Sequence, residues 1–183
     1  MEISAFSCHG NPVHPQKNIA GAFDRDFRNT VLLAEKAEVD TVITFSGCPG
    51  GSPQDKYPNW VTCPWPDDFG AILEYQWNDV LIPYWKEASA FAKSHGINKI
   101  ALEMHPGFCV YNPETLLKLR EAAGDNIEPA FEQVGKVLAD MFATHARRAA
   151  GEDVVAFVLR RNQELALPGH PQGGEPFHQP AQP

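Results

Sequence analysis

Several sequence features that mark common protein classes are missing from this chain of 183 residues. No GxGxxG or Walker A pattern is present, which removes the main sequence sign of a nucleotide-binding sheet. No apolar run reaches the roughly 18 residues that a membrane span needs. The N-terminus, Met1–Ser4, has neither the basic stretch nor the long apolar core of a signal peptide. We therefore expect a cytoplasmic protein with no membrane partner.

Paired cysteine motifs and an excess of basic residues are also missing. The four cysteines (Cys8, Cys48, Cys63 and Cys109) form no CxxC pair, so a zinc ribbon has little support and we expect reduced packing thiols. Lys and Arg number 15 against 23 Asp and Glu, which gives a net charge of -8. Because phosphate binding needs a basic face, this balance argues against a nucleic-acid partner.

Regular alternation of strand and helix patterns is what the sequence does contain. Apolar and β-branched runs predict strands, and apolar residues at a helical period predict the helices between them. Such alternation implies parallel strands with crossover helices, either in an open doubly wound sheet or in part of a barrel. The predicted strands are Ile3–Cys8, Thr41–Phe45 and Ile97–Met104. The predicted helices are Asp24–Glu38, a helix from Asp67 or Asp68 to His95 with a kink at Pro83, and a helix capped by Asn112 that ends at Gly124.

The C-terminal third of the chain is less regular. Residues 128–167 predict a mainly helical segment, with an amphipathic helix over Phe131–Ala150. Residues 168–183 are rich in Pro, Gly, Gln and His, a composition typical of a disordered tail. The length fits one domain but falls short of the roughly 250 residues of a complete (β/α)₈ barrel.

Glu103 and His105 are the first candidates for catalytic residues. Parallel α/β proteins place their functional groups at the carboxyl ends of strands, where both residues lie. Side chains two positions apart share a strand face, so the carboxylate and the imidazole can reach one cavity. The pair suits a divalent cation or acid/base catalysis. The alternative is that Glu103 is salt-bridged to a Lys or Arg and that His105 is a turn residue.

Further candidates for substrate contacts follow other strands or lie in the long loop. His9 and Asn11 come directly after the first strand, where His9 suits a sugar hydroxyl or a phosphate. A loop histidine bonded to the backbone is the alternative. Trp60 and Trp65 could form an apolar wall against a sugar ring, or they could only hold the long loop to the rim of the sheet.

Four sequence segments together resemble the sugar phosphate isomerase/epimerase branch of the xylose-isomerase-like barrels. The resemblance covers roughly residues 3–127. The segments are Ser7-Cys8-His9-Gly10-Asn11-Pro12, Thr44-Phe45-Ser46-Gly47-Cys48-Pro49-Gly50, Tyr57-Pro58-Asn59-Trp60-Val61-Thr62-Cys63-Pro64-Trp65-Pro66 and Ala101-Leu102-Glu103-Met104-His105-Pro106-Gly107.

The resemblance implies a partial (β/α)₈ TIM barrel that binds a divalent metal, commonly Mn²⁺, Mg²⁺ or Co²⁺. The first metal ligand carries over to Glu103. The family pattern Phe-Asp-Pro-Ser-His places the second ligand at Glu132, but Gly135 stands where the family has His, and Pro129 argues against a strand there. The other two ligands have no matching positions. The chain is thus expected to lack about two βα units at its front and to diverge after about Asn126.

The activity implied by the resemblance is isomerisation or epimerisation of a sugar or sugar phosphate. A carboxylate removes the proton beside the carbonyl, and reprotonation of the enediolate gives the product. The missing positions predict that this activity is impaired. The alternative is a non-catalytic barrel remnant or an assembly module, whose open sheet edges a homo-oligomer would cover.

Overall fold

The computed structural model describes residues 3–130. The predicted helix over Phe131–Ala150, the tail over 168–183 and the ligand position Glu132 lie outside the described residues. The described part is an α/β structure with a four-stranded parallel sheet in the order β1-β2-β3-β4. The strands are β1 (Phe6–Ser7), β2 (Thr41–Thr44), β3 (Lys99–Leu102) and β4 (Ile127–Pro129).

The helices occupy the connections that the sequence predicts. The first extends further towards the N-terminus than its apolar period indicates, and the first strand is shorter than predicted. Within residues 3–130 no helix combines the length and the apolar character that crossing a bilayer requires. The helices are α1 (Lys17–Lys36), α2 (Asp67–Glu74), a π-helical segment (Tyr75–Leu81), α3 (Ile82–Ser94) and α4 (Pro113–Ala123).

The long helical region between β2 and β3 differs from its prediction in two ways. Asp67 and Asp68 do not cap it but lie in its first turn, where their charges favour the helix dipole; Pro66 is the N-cap and makes no side-chain cap bond. In place of the predicted simple kink at Pro83, the chain forms the wide π-helical turns Tyr75–Leu81 just before that proline.

The strand that Pro129 argues against is present, and the prediction was wrong. The amide of Ile100 donates to Asn126 O at 2.8 Å, and the amide of Ala130 donates to Leu102 O at 3.1 Å. The backbone N–H and C=O groups of the even-numbered residues around β4 therefore point towards β3. The backbone nitrogen of Pro129 points away from β3. Proline has no backbone N–H, but this removes no hydrogen bond between β3 and β4, because the nitrogen of Pro129 lies on the outer edge of the described sheet.

Two helix ends form as the sequence predicts. Asn112 caps α4 through a capping box, in which Asn112 Oδ1 accepts from the Thr115 amide at 2.8 Å. Gly96 follows α3 with a φ of 76°, the left-handed conformation that glycine adopts without strain. The core lies between the sheet and the helices, and Leu81, Trp85 and Ile100 are fully buried in it.

Candidate functional site at the carboxyl edge of the sheet

Strand register brings three chain segments together at one edge of the sheet. Ser7 pairs with Ile43, and Thr44 pairs with Leu102. The residues that follow β1, β2 and β3 therefore leave the sheet side by side at its carboxyl edge. These segments carry four of the predicted site residues: His9, Asn11, Glu103 and His105.

His9 bridges the first and third of these segments. Its Nε2 lies 2.9 Å from Glu103 Oε1, and its Nδ1 lies 3.1 Å from Ser7 Oγ. Because a carboxylate only accepts, Nε2 carries a hydrogen, and in the neutral imidazole Nδ1 accepts from the Ser7 hydroxyl. Both imidazole nitrogens are thus engaged. The partner of Glu103 is a histidine and not the Lys or Arg that we considered as the alternative from the sequence. The side chains of His9 and Glu103 keep 39% and 31% of their exposure, so solvent reaches the pair.

Phe45 packs between the two histidines of the site. Its ring centroid lies 4.4 Å from that of His9 and 5.5 Å from that of His105, and it stacks on Phe108 at 4.5 Å. The sequence predicts Phe45 only as a strand residue. Its position as the last residue of an apolar strand could have marked it as part of the site, because neighbouring strands end at the same edge.

His105 makes a different pattern of bonds from His9. Its Nδ1 lies 2.6 Å from the carbonyl oxygen of Pro106. A carbonyl only accepts, so Nδ1 carries the hydrogen and Nε2 holds the free lone pair. Within residues 3–130 no hydrogen bond engages Nε2. This nitrogen and the second oxygen of Glu103 are the acceptors that the site presents.

Asn11 links the segment after β1 to the segment after β2. Its Nδ2 donates to Cys48 O at 2.8 Å, and its Oδ1 accepts from the Cys48 amide at 3.0 Å. Gly47 makes room for this contact: it has a φ of 85°, and a Cβ there would stand 2.8 Å from Asn11 Oδ1 and 2.5 Å from Val13 Cγ2. Asn11 therefore uses one donor and one acceptor of its side chain to hold the segment after β2 in place.

Trp60 and Trp65 lie on the surface of the long loop. Trp60 is 42% exposed and meets Tyr111 edge-on at 5.5 Å, while Trp65 is 74% exposed. In the described part of the chain, no ring contact or hydrogen bond joins either tryptophan to the His9–Glu103 pair. Trp60 is thus anchored beside the segment that leads into α4, and the indole of Trp65 is free for a ligand or a partner.

The described residues do not by themselves fit a resident metal ion. Between residues 3 and 130 no group of three or more His, Cys, Asp or Glu side chains could hold one. Glu103 and His105 offer two donors, whereas the cations that the resemblance implies take about six. A metal at this edge would need further donors, from water, from a substrate or from other residues.

A partly buried cysteine, Cys8, directly follows β1. Burial raises the pKa of Cys8, and hydrogen bonds with Thr30 and Thr44 partly offset the rise. Its neutral form is therefore favoured, and the thiol serves as packing. This agrees with the structural role expected for the cysteines.

One curated protein gives a significant sequence match. It is the uncharacterized protein YfiH of Bacillus subtilis (strain 168), which is 44% identical to this chain over 137 residues. The match covers 71% of this chain and 43% of the relative, so the chain spans less than half of the relative's length. No family model matches the chain.

Proposed function

We propose that this chain is a sugar or sugar phosphate isomerase/epimerase-like protein built on part of a (β/α)₈ barrel. The observation that carries the proposal is the His9–Glu103 bond at 2.9 Å, together with the unbonded Nε2 of His105. A carboxylate and an imidazole with free acceptor atoms at one strand edge are the groups that proton transfer beside a carbonyl requires.

The strand order supports a barrel in preference to an open doubly wound sheet. The four strands are parallel and follow the order of the chain without a reversal. Open sheets bind ligands at a switch point, where the strand order reverses. A barrel instead places each strand beside the next and gathers its site at the carboxyl edge. That edge is where His9, Glu103 and His105 lie.

The chemistry assigns a separate task to each side chain. Glu103 removes the proton from the carbon beside the carbonyl, and His9 holds its carboxylate in place through Oε1. His105 takes the proton of the hydroxyl beside the carbonyl at Nε2. Reprotonation then returns one proton to the other carbon or the other face and one proton to an oxygen of the enediolate.

Hydrogen exchange with solvent tests this reaction class without knowledge of the product. Aldoses, ketoses and their phosphates are incubated with the protein in D₂O, with and without Mn²⁺, and followed by NMR. We expect one class to gain deuterium at the carbon beside the carbonyl. Glu103→Gln and His105→Asn should each slow the exchange by about 100-fold or more.

The chain contains a matched control for these variants. Glu35 and His95 form a second pair, with Glu35 Oε2 2.9 Å from His95 Nδ1, and they line a cavity near the amino end of β2. Glu35→Gln should leave the exchange rate unchanged. Absence of exchange for every sugar with the folded protein, with and without Mn²⁺, would contradict the proposal.

A further inference from the structure

Two loops at the carboxyl edge run side by side and carry one cysteine each. The Cys109 amide donates to Gly47 O at 2.9 Å, and the Val110 amide donates to Ser46 Oγ at 2.9 Å. These two bonds hold residues 46–48, which follow β2, against residues 108–110, which follow β3. Cys48 and Cys109 therefore occupy neighbouring positions although 60 residues separate them in sequence.

Both cysteines lie inside the core. Cys48 is 1% exposed and Cys109 is 5% exposed, and both belong to one hydrophobic cluster. The Cys48 thiol donates to Pro49 O at 3.6 Å. The proximity of the two thiols lowers the pKa of Cys48, while the same proximity and burial raise the pKa of Cys109. In the pair, Cys48 thus holds the sulfur that more readily becomes a thiolate.

We propose that Cys48 and Cys109 are the site of an intramolecular disulfide, formed by exchange with a small-molecule disulfide. One protein sulfur attacks the small disulfide, breaks its S–S bond and releases one small thiol. The second protein sulfur attacks the mixed disulfide and releases the other small thiol. Two protein thiols are oxidised, one small disulfide is reduced to two thiols, and both protons end on the released thiols.

A cavity gives the reagent a path to one of the two sulfurs. Its volume is about 200 Å³, and Cys109 forms part of its wall together with Thr62, Trp77 and Lys118. The positive charge of Lys118 favours the thiolate of Cys109 and counteracts part of its raised pKa. Cys109 is thus the cysteine of the pair that borders open space, and Cys48 is the one that more readily forms a thiolate.

The disulfide would join two loops that border the proposed catalytic residues. The first loop follows Phe45, whose ring contacts His9 and His105. The second follows His105 and contains Phe108, which stacks on Phe45. A covalent link would hold these rings in one arrangement. The inference rests on the two cysteines alone and does not depend on the proposed function.

Oxidation followed by mass spectrometry tests the inference on the full chain. The protein is incubated with excess glutathione disulfide at pH about 8 and then alkylated with N-ethylmaleimide in denaturant. We expect Cys48 and Cys109 to lose two hydrogen atoms together and to take up no alkyl group, whereas Cys8 takes up one and the exposed Cys63 takes up either an alkyl group or glutathione. Peptide mapping should recover the segments of Cys48 and Cys109 as one cross-linked product.

Variants of the other cysteines supply the controls. Cys63→Ser removes the exposed thiol and should leave the cross-link intact, whereas Cys48→Ser and Cys109→Ser should each abolish it. Recovery of Cys48 and Cys109 as separate alkylated peptides from the oxidised wild-type protein, with glutathione attached only at Cys63, would overturn the inference. That outcome needs no variant to fold.

Discussion

At the scale of single residues, the tautomers of the histidines follow from their partners. His9 donates through Nε2 to Glu103, whereas His105 donates through Nδ1 to the Pro106 carbonyl. The two imidazoles beside Phe45 therefore present opposite nitrogens as acceptors. Ser7 occupies the acceptor of His9, whereas no hydrogen bond within residues 3–130 engages that of His105. The division of tasks proposed for the site depends on this difference.

Nitrogen-15 NMR of the histidine side chains can measure these tautomers. At alkaline pH, where imidazoles are neutral, we expect His9 with the hydrogen on Nε2 and His105 with the hydrogen on Nδ1. His95 is the internal reference, because its Nδ1 lies 2.9 Å from Glu35 Oε2 and should also carry a hydrogen. A His105 spectrum with the hydrogen on Nε2 would remove that nitrogen as a proton acceptor.

At the scale of secondary-structure elements, the π-helical segment ties the long loop to the sheet. Gln76 is 1% exposed, and its Nε2 lies 2.5 Å from Asn59 O and 3.1 Å from Gly50 O. Both acceptors belong to the loop that follows β2. The wide turns of the segment allow this buried amide to face the loop. Hydrogen bonds from the Gln76 side chain to backbone carbonyls of the loop thus help to order it, together with the aromatic residues of the loop.

Loss of this amide should destabilise the protein. Gln76→Leu keeps the side-chain volume similar but leaves the two carbonyl groups without their donor in the core, which should cost about 2–3 kcal/mol. Chemical denaturation measures the change in the free energy of unfolding. Gln16→Leu is the matched control: Gln16 Nε2 donates to Lys56 O at 2.9 Å in an exposed position, and its loss should cost less than about 1 kcal/mol. Equal effects of both substitutions would contradict the role of Gln76.

The element scale also shows how far sequence patterns reach. The capping box at Asn112 and the left-handed Gly96 form as predicted, because both depend on a few neighbouring residues. The strand at Pro129 was wrongly argued against, because the effect of a proline depends on which edge of the strand its nitrogen faces. That orientation follows from the pairing of β4 with β3. The residues around Pro129 alone do not show this pairing.

At the scale of the whole molecule, net charge predicts how the chain meets charged partners. The excess of acidic over basic residues is 8. We therefore expect a polyanion such as DNA to bind weakly even at low salt, where electrostatic binding is otherwise strongest.

Fluorescence anisotropy with a labelled duplex containing an abasic site measures this binding. At about 50 mM salt we expect no saturable binding at micromolar protein, because no basic excess exists to displace counterions. A basic DNA-binding protein under the same conditions is the positive control. Tight, salt-sensitive binding by the folded chain would contradict a small-molecule site and favour a phosphodiester substrate.

Short stretches of sequence were enough to predict the alternation of parallel strands with helices, the helix ends at Gly96 and Asn112, and the placement of Glu103 and His105 at a strand end. These features depend on residue type and on periodicity over a few residues. Three contacts could be seen only in the folded chain: His9 binds Glu103 across 94 residues, Phe45 packs between two histidines, and the segment of Cys48 lies beside that of Cys109. Such contacts follow from strand order and register, which align chain segments that no local pattern relates.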